Sequence, residues 1–516
     1  MSASLKRASG IILHPTSLPG PLGIGDIGAA AHRFLDFLTR AGQSLWQVLP
    51  LGPTGFGDSP YACFSSFAGN PLLVSLETLV DWGVLAEEDL EDAPVASSGP
   101  VDYGTVIRWK LPLLRRAAAR FLDAAAGAGT AGNRFSEFQA REAWWLDDYC
   151  LFMALKHELD ARAEKNGTPA GAWNVSWDRG ISLRDPAHLS RWQRELAAEV
   201  QVERAVQFFF FEQWGLLREE ASRRGILIIG DLPIFAAPDS ADVWANRDLF
   251  LLDADGLPTA VSGVPPDYFS ATGQLWGNPL YDWDALARQE YRFWVRRIAA
   301  ARRLFDVVRI DHFRGFDACW TVPAGERTAE RGQWVKAPGE ALFQALRKSL
   351  GELPLIAEDL GVITPEVNAL RERLGFPGMR VLQFAFDSVE AGSLNAANRF
   401  LPHNHAPDSV VYTGTHDNDT TRGWFSQRTP GEREYLERYV GHTDAEIEWT
   451  FIRMALSSVC GFALFPLQDV LGLGSEARLN TPGTSGGRNW TWRFDEGSLS
   501  DTRAQRLREL GALYGR

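Results

Sequence analysis

Eight short apolar runs, rich in β-branched residues, punctuate this chain, and segments with helical spacing lie between them. The runs are Gly10 to Leu13, Ser44 to Pro50, Ile226 to Leu232, Val307 to His312, Leu355 to Leu360, Arg380 to Phe386, Ser409 to Asp417 and Phe462 to Val470. The helical segments include Ala29 to Ala41, Val206 to Arg224, Leu286 to Arg303, Ala337 to Leu350, Pro365 to Leu374 and Asp444 to Ser458. Runs that are apolar throughout, rather than alternating, suit strands buried on both faces of a parallel sheet, and parallel strands need helical crossovers. Eight such units predict an α/β fold of the (β/α)8 TIM-barrel type.

A plain barrel takes about 250 residues, and this chain has 516. The excess sits in two places. Residues 75–205 are rich in Ala, Glu, Arg and Leu and carry many of the 19 tryptophans; the pattern predicts helices over Val106 to Ala125 and Asn133 to Lys165, hence a helical subdomain inserted between the second and third strands. A long loop excursion follows the third strand, at about 236–283, where barrel loops usually build the site. The reading is residues 1–74 for strands 1 and 2, 75–205 for the insertion, and 206–516 for strands 3 to 8.

A net charge of −13 argues against nucleic acid or an anionic membrane as partner, since both call for concentrated Lys and Arg. Cys63, Cys150, Cys319 and Cys460 are scattered without CxxC spacing, so neither a zinc site nor a disulfide framework is signalled. The stretch Ile11-Ile12-Leu13 is too short for a signal-peptide core and no segment is long enough for a membrane span. A cytoplasmic protein is expected.

Three of the apolar runs carry a carboxylate at or near their C-terminal end: Asp311, Glu358 and Asp417. In a (β/α) barrel the C-terminal strand ends hold the chemistry. Successive strand side chains face opposite ways, so Val307, Arg309 and Asp311 share a face, with Arg309 one pleat below Asp311. A guanidinium there favours an ionised carboxylate, as a nucleophile needs; Glu358 has no adjacent arginine in its run, and desolvation would keep its proton, as a general acid needs. Two carboxyls on neighbouring strand ends fit the roughly 5–5.5 Å separation of a retaining glycosidase. The alternative is a magnesium pair, since acids on barrel strand ends also bind that metal in other enzyme classes, but the glycosidase is the preferred reading of the two.

Asp417 lies in Gly414-Thr415-His416-Asp417-Asn418-Asp419-Thr420, dense in short hydrogen-bonding side chains that suit sugar hydroxyls. His312 and His416 adjoin the candidate acids and read as hydroxyl-binding or structural donors rather than metal ligands. Asp231, ending the third run, orients the site or caps a loop. Tyr61, Tyr268, Phe269 and Trp276 fall in Gly- and Pro-rich loops, where aromatic faces can stack on sugar rings, and Ser59, Asp267 and Asn278 can take hydroxyls. Gly23-Ile24-Gly25-Asp26-Ile27-Gly28 matches GxGxxG, but three prolines separate it from the preceding strand and no acid ends the next one, so a dinucleotide site is rejected.

At these residues the chain resembles the 4-α-glucanotransferases, or amylomaltases, of glycoside hydrolase family 77 in the α-amylase clan. The resemblance is carried by His14-Pro15-Thr16-Ser17-Leu18-Pro19, Trp46 to Leu51, Asp58-Ser59-Pro60-Tyr61, Gly230-Asp231-Leu232-Pro233, Leu275-Trp276-Gly277-Asn278-Pro279, Arg309-Ile310-Asp311-His312, Ala357-Glu358-Asp359-Leu360-Gly361, Thr415 to Asp419 and Asn480-Thr481-Pro482-Gly483. It implies Asp311 as nucleophile, Glu358 as acid and base, and Asp417 as transition-state stabiliser. It further implies Arg309, His312 and His416 around the reacting sugar, Tyr61, Asp267, Tyr268, Phe269 and Trp276 along the glucan chain, maltooligosaccharides and larger α-1,4-glucans as substrates, and no metal or cofactor. One departure is that Ala62-Cys63 follows Tyr61 where the family commonly has Gln.

Overall fold

The computed structural model describes residues 6–516 except 92, 95, 97, 126–128, 267–269, 387–394 and 442–444. Along the chain its strands are β1 (Ala8–Ile12), β2 (Leu45–Gln47), β3 (Leu227–Leu232), β4 (Ala260–Val264), β5 (Gln274–Pro279), β6 (Val307–Ile310), β7 (Ala318–Pro323), β8 (Gln333–Lys336), β9 (Leu355–Ala357), β10 (Gly378–Val381), β11 (Ser409–Tyr412) and β12 (Phe462–Pro466). Eight of them form one sheet in the order β10-β11-β12-β1-β2-β3-β6-β9, and each neighbouring pair is parallel. The end strands β9 and β10 meet through the Ala357 N–H, which donates to the Pro377 carbonyl at 2.9 Å, and the Met379 N–H, which donates to Asp359 Oδ1 at 2.7 Å. The result is a (β/α)8 TIM barrel.

Both strand faces are buried, which is why the runs are continuously apolar. Ile12, Leu45, Ile229, Ile356, Met379, Val381, Val410, Tyr412, Phe462 and Leu464 pack together. Their alternates, among them Ile11, Trp46, Ile228, Val308, Leu355, Val411 and Phe465, join the larger cluster that includes the surrounding helices. Each such fully buried side chain contributes roughly 1.5–3 kcal/mol relative to exposure.

The ladders end sooner than the apolar runs. Gln383–Phe386 and Leu467–Leu471 are short helices, and a buried helical turn is as apolar as a strand, so pattern alone extended two strands into them. The expected single helix Leu286 to Arg303 is two, Trp283–Arg288 and Arg292–Leu304, broken where Glu290 and Tyr291 take positive φ of 51° and 55°.

Between β2 and β3 lie the long helices Tyr103–Ala125, Thr130–Lys165 and Ala197–Arg223. The last runs unbroken across residue 205 and delivers the chain to β3. Glu142 ties this region to the barrel: both its oxygens accept from Arg303, at 2.8 Å each. The excursion after β3 holds β4 and β5 instead of being loop throughout. They complete an antiparallel sheet, β5-β4-β7-β8, with strands that arise after β6, so two barrel loops build one structure over the rim. Among the described residues no helix is long and apolar enough to cross a membrane.

Candidate active site

Arg309 is buried within the barrel, 4% exposed, and its guanidinium is shared among three neighbours. Nη1 donates to both oxygens of Asp231, at 2.8 and 2.6 Å; Nη2 lies 3.1 Å from Asp311 Oδ1; Nε faces Met379 Sδ at 3.4 Å. The Asp311 side chain is 30% exposed, so it meets both the cation behind it and the open rim. Its N–H, donating to the Leu232 carbonyl at 3.0 Å, fixes its height just past the end of β6.

Glu358 touches the same turn. Its Oε2 accepts the His312 N–H at 2.7 Å and its Oε1 accepts the Leu360 N–H at 2.6 Å. His312 reaches this position with a left-handed φ of 51°, a costly conformation for a non-glycine residue that tertiary contacts must hold. Burial pushes the Glu358 carboxyl up from its ordinary 4.5 to about 7; the Arg309 charge and the two N–H bonds oppose the rise, and the Asp311 charge adds to it. The carboxyl therefore exchanges a proton near neutrality, which suits an acid that later serves as base. Burial also lowers the His312 imidazole to about 4, against the pull of Asp311, so the ring is a neutral hydrogen-bonding group.

Asp417 sits in the loop beyond β11, its side chain 44% exposed. Asn480 Nδ2 donates to its Oδ1 at 2.6 Å, and Arg478 Nη2 donates to its backbone carbonyl at 2.7 Å. His416 Nε2 is 3.5 Å from the same Oδ1, and its ring stacks on Tyr61 with centroids 5.2 Å apart. The Tyr61 hydroxyl donates to Asp231 Oδ2 at 2.8 Å. A chain of contacts thus runs from Asp417 through His416, Tyr61, Asp231 and Arg309 to Asp311.

The family model described as 4-alpha-glucanotransferase matches residues 13–499. The chain belongs to the 4-alpha-glucanotransferase family. Relatives carrying that name include one from Thermus thermophilus, 51% identical over 98% of each chain, and one from Synechocystis, 50% identical over 99% of this chain and 98% of the other. The chloroplastic/amyloplastic enzyme of Arabidopsis thaliana is 44% identical over 99% of this chain and 86% of its own. Among solved structures, the amylomaltase of Streptococcus agalactiae in complex with acarbose superposes with a TM-score of 0.92 at 37% identity, covering 99% of this chain and all of that one.

Several of the candidate site residues stand differently from their sequence reading. Asp231, grouped with the substrate-binding residues and read as orienting the site or capping a loop, has a fully buried side chain with both oxygens taken by Arg309 and Tyr61; it touches no open surface and stands behind the site, countering the Arg309 charge. Asn278 spends its amide on the Ala236 carbonyl and the Ser262 hydroxyl, bracing β5, and Ser59 Oγ accepts the Tyr61 N–H at 3.2 Å, shaping the turn that presents Tyr61. Trp276 remains 38% exposed and meets His312 edge-on, with centroids 4.8 Å apart, leaving an aromatic face at the rim. Asp267, Tyr268 and Phe269 lie outside the described residues. Among those described, no group of three or more His, Cys, Asp or Glu is arranged to hold a metal.

The residues that the sequence reading missed come from the C-terminal segment. Asn480 and Arg478 grip Asp417, and Trp490, in a left-handed conformation at φ 65°, packs within 6.0 Å of the Tyr61 ring and 6.1 Å of the His416 ring, centroid to centroid. Asn480 was visible as the first residue of Asn480-Thr481-Pro482-Gly483, yet nothing local told which acid it served.

Proposed function

We propose that this chain is a 4-α-glucanotransferase that moves α-1,4-glucan segments from a donor to the 4-hydroxyl of an acceptor glucan or glucose by a retaining double displacement. Asp311 attacks the anomeric carbon of the donor while Glu358 gives its proton to the departing glycosidic oxygen, leaving a glycosyl ester on Asp311 and a shortened glucan. Glu358, now a carboxylate, takes the proton of the acceptor 4-hydroxyl as that oxygen displaces Asp311, and the linkage keeps its configuration. Asp417, held by Asn480, faces the charge that develops on the ring. Arg309, His312 and His416 surround the reacting sugar, and Tyr61 and Trp276 offer aromatic faces to the glucan. Residues 75–205 are an inserted helical unit on this reading.

The observation that carries the mechanism is the contrast between two neighbouring carboxyls. One is ion-paired to a buried guanidinium, and the other is pushed to about 7 by burial while touching the first one's turn through the His312 N–H. Incubation with maltotriose alone tests the activity: transfer yields glucose and longer chains with almost no net gain in reducing ends. A steady rise in reducing ends makes the protein a hydrolase. Replacing Asp311 with Asn abolishes transfer on this mechanism, and near-normal turnover in that variant removes Asp311 from the nucleophile's role.

A further inference from the structure

The helix Leu467–Leu471 follows β12 directly and carries Asp469, a carboxylate only 1% exposed. Its hydrogen bonds go to two residues, one at each end of a single loop. Thr413 Oγ1 donates to Oδ2 at 2.6 Å; Thr421 donates twice, from its N–H to Oδ1 at 2.7 Å and from Oγ1 to Oδ2 at 2.7 Å. Thr413 leaves β11, and Thr421 opens the helix Thr421–Ser426. Between them lie Thr415, His416 and Asp417.

We propose that Asp469 is a positioning residue for Asp417: by fastening Thr413 and Thr421 to one carboxylate it sets the span of the loop and hence the depth at which Asp417 stands over the reacting sugar. The inference rests on the assignment of Asp417 as transition-state stabiliser. The tip of the loop is held from the opposite side, by Arg478 on the Asp417 carbonyl and Asn480 on its carboxylate, and by Gln383 Nε2 on the Asp419 carbonyl at 2.9 Å. None of these fixes the distance between the two ends; Asp469 does.

The energetics favour position over stability. Among the described residues Asp469 has no ion-pair partner, and the charge that acts on it, Glu448, is another acid, itself engaged by Arg422 at 2.6 Å. Burial accordingly pushes the Asp469 carboxyl up to about 6. A buried carboxylate without a cation is a costly way to satisfy three donors. What it supplies is one rigid acceptor that reaches both ends of the loop, 56 and 48 residues away in sequence.

The test uses the full-length enzyme with maltotriose, reading kcat and KM per folded molecule, with folding followed by circular dichroism at the assay temperature. Asp469→Ala is expected to lower kcat about 10- to 100-fold with KM changed less than about twofold, the signature of a misplaced group that acts in the transition state. Asp469→Asn accepts the Thr421 N–H through its amide oxygen and donates to the threonine hydroxyls, so it restores kcat to within about threefold of wild type. Thr413→Val, which keeps the shape and removes one hydroxyl, lowers kcat about tenfold, and Thr413→Ser restores it. Should Asp469→Ala fail to fold, the Thr413 pair decides the question. Unchanged kcat per folded molecule in the Ala and Val variants, with Asp417→Ala inactive, overturns the proposal; an active Asp417→Ala overturns the assignment on which it rests.

Discussion

Replacing Glu358 with Gln should stop transfer and shift the protein's stability, relative to wild type, in the variant's favour as pH rises. The magnitude follows from the burial of the carboxyl. Its pKa rises from 4.5 to about 7 on folding, so above pH 7 the folded state carries a buried charge that the unfolded chain holds in water. At 1.36 kcal/mol per pH unit that gap costs the wild type about 3 kcal/mol. The sign is that of an acid with a raised folded pKa: below pH 4.5 both states are protonated and nothing is lost, and between 4.5 and 7 the folded state holds a proton the unfolded state has released, so stability falls as pH rises. About 2.5 kcal/mol of the loss falls between pH 5 and pH 8. Glutamine removes this dependence. It also spoils one of the two backbone N–H bonds, because Oε1 and Oε2 each accept one and an amide has a single oxygen; that cost, about 1–3 kcal/mol, does not vary with pH and cancels when the two pH values are compared. For 516 residues an unfolding entropy of about 2.1 cal/mol/K per residue converts 1 kcal/mol into roughly 1 °C. The melting-temperature difference between Glu358→Gln and wild type, measured by calorimetry at one scan rate, should therefore move in the variant's favour by roughly 2–3 °C from pH 5 to pH 8. A difference that stays constant between the two pH values refutes the buried-acid argument, whatever the variant's activity.

Other consequences follow from the same contacts. In the wild type, kcat/KM for maltotriose should fall as pH rises through about 7, where Glu358 loses its proton; a flat profile to pH 9 excludes it as the acid. Asn480→Ala removes a charge-assisted hydrogen bond to Asp417 and should lower kcat/KM roughly 10- to 100-fold, the equivalent of about 1.5–3 kcal/mol, with a melting temperature within a degree or two of wild type; unaltered kinetics remove it from the site. Arg516 donates to the carbonyls of Ala8, Leu456, Ser458, Cys460 and Gly461 beneath the β1 and β12 strands, so Arg516→Ala should destabilise by about 2–4 kcal/mol without changing kcat of the folded enzyme. Gly378→Ala would put a Cβ 2.5 Å from Asp359 Oδ2 at the β9–β10 seam, and a melting temperature equal to wild type would show the seam to be looser than the contact implies.

What could be read along the chain followed from whether a residue's surroundings were local. Barrel strands such as Val307–Ile310 were legible because both faces are buried, which writes an unbroken apolar run. The run through Phe462 to Val470 was misread at its end, because Leu467–Leu471 is buried as thoroughly as the strand before it. The antiparallel strands were illegible for the opposite reason: β8 is exposed along its whole length and β5 is mixed, so neither shows an alternation of two faces. Gly23 to Gly28 looked like a nucleotide loop. Its middle glycine instead answers to a close backbone approach, with a Cβ on Gly25 falling 2.2 Å from the Pro15 carbonyl.

The sequence by itself determined the barrel and the pairing of Arg309 with Asp311, because strand parity is a covalent property: residues two apart share a face wherever the strand lies. It also placed Glu358 and Asp417 past the ends of apolar runs. The tertiary structure alone decided what those acids can do. The proton affinity of Glu358 depends on how much protein excludes water from it, and the stance of Asp417 depends on Asn480, Arg478 and Asp469, all more than 45 residues away. Desolvation and hydrogen bonding are sums over neighbours in space, and the chain folded into a barrel brings those neighbours from every part of its length.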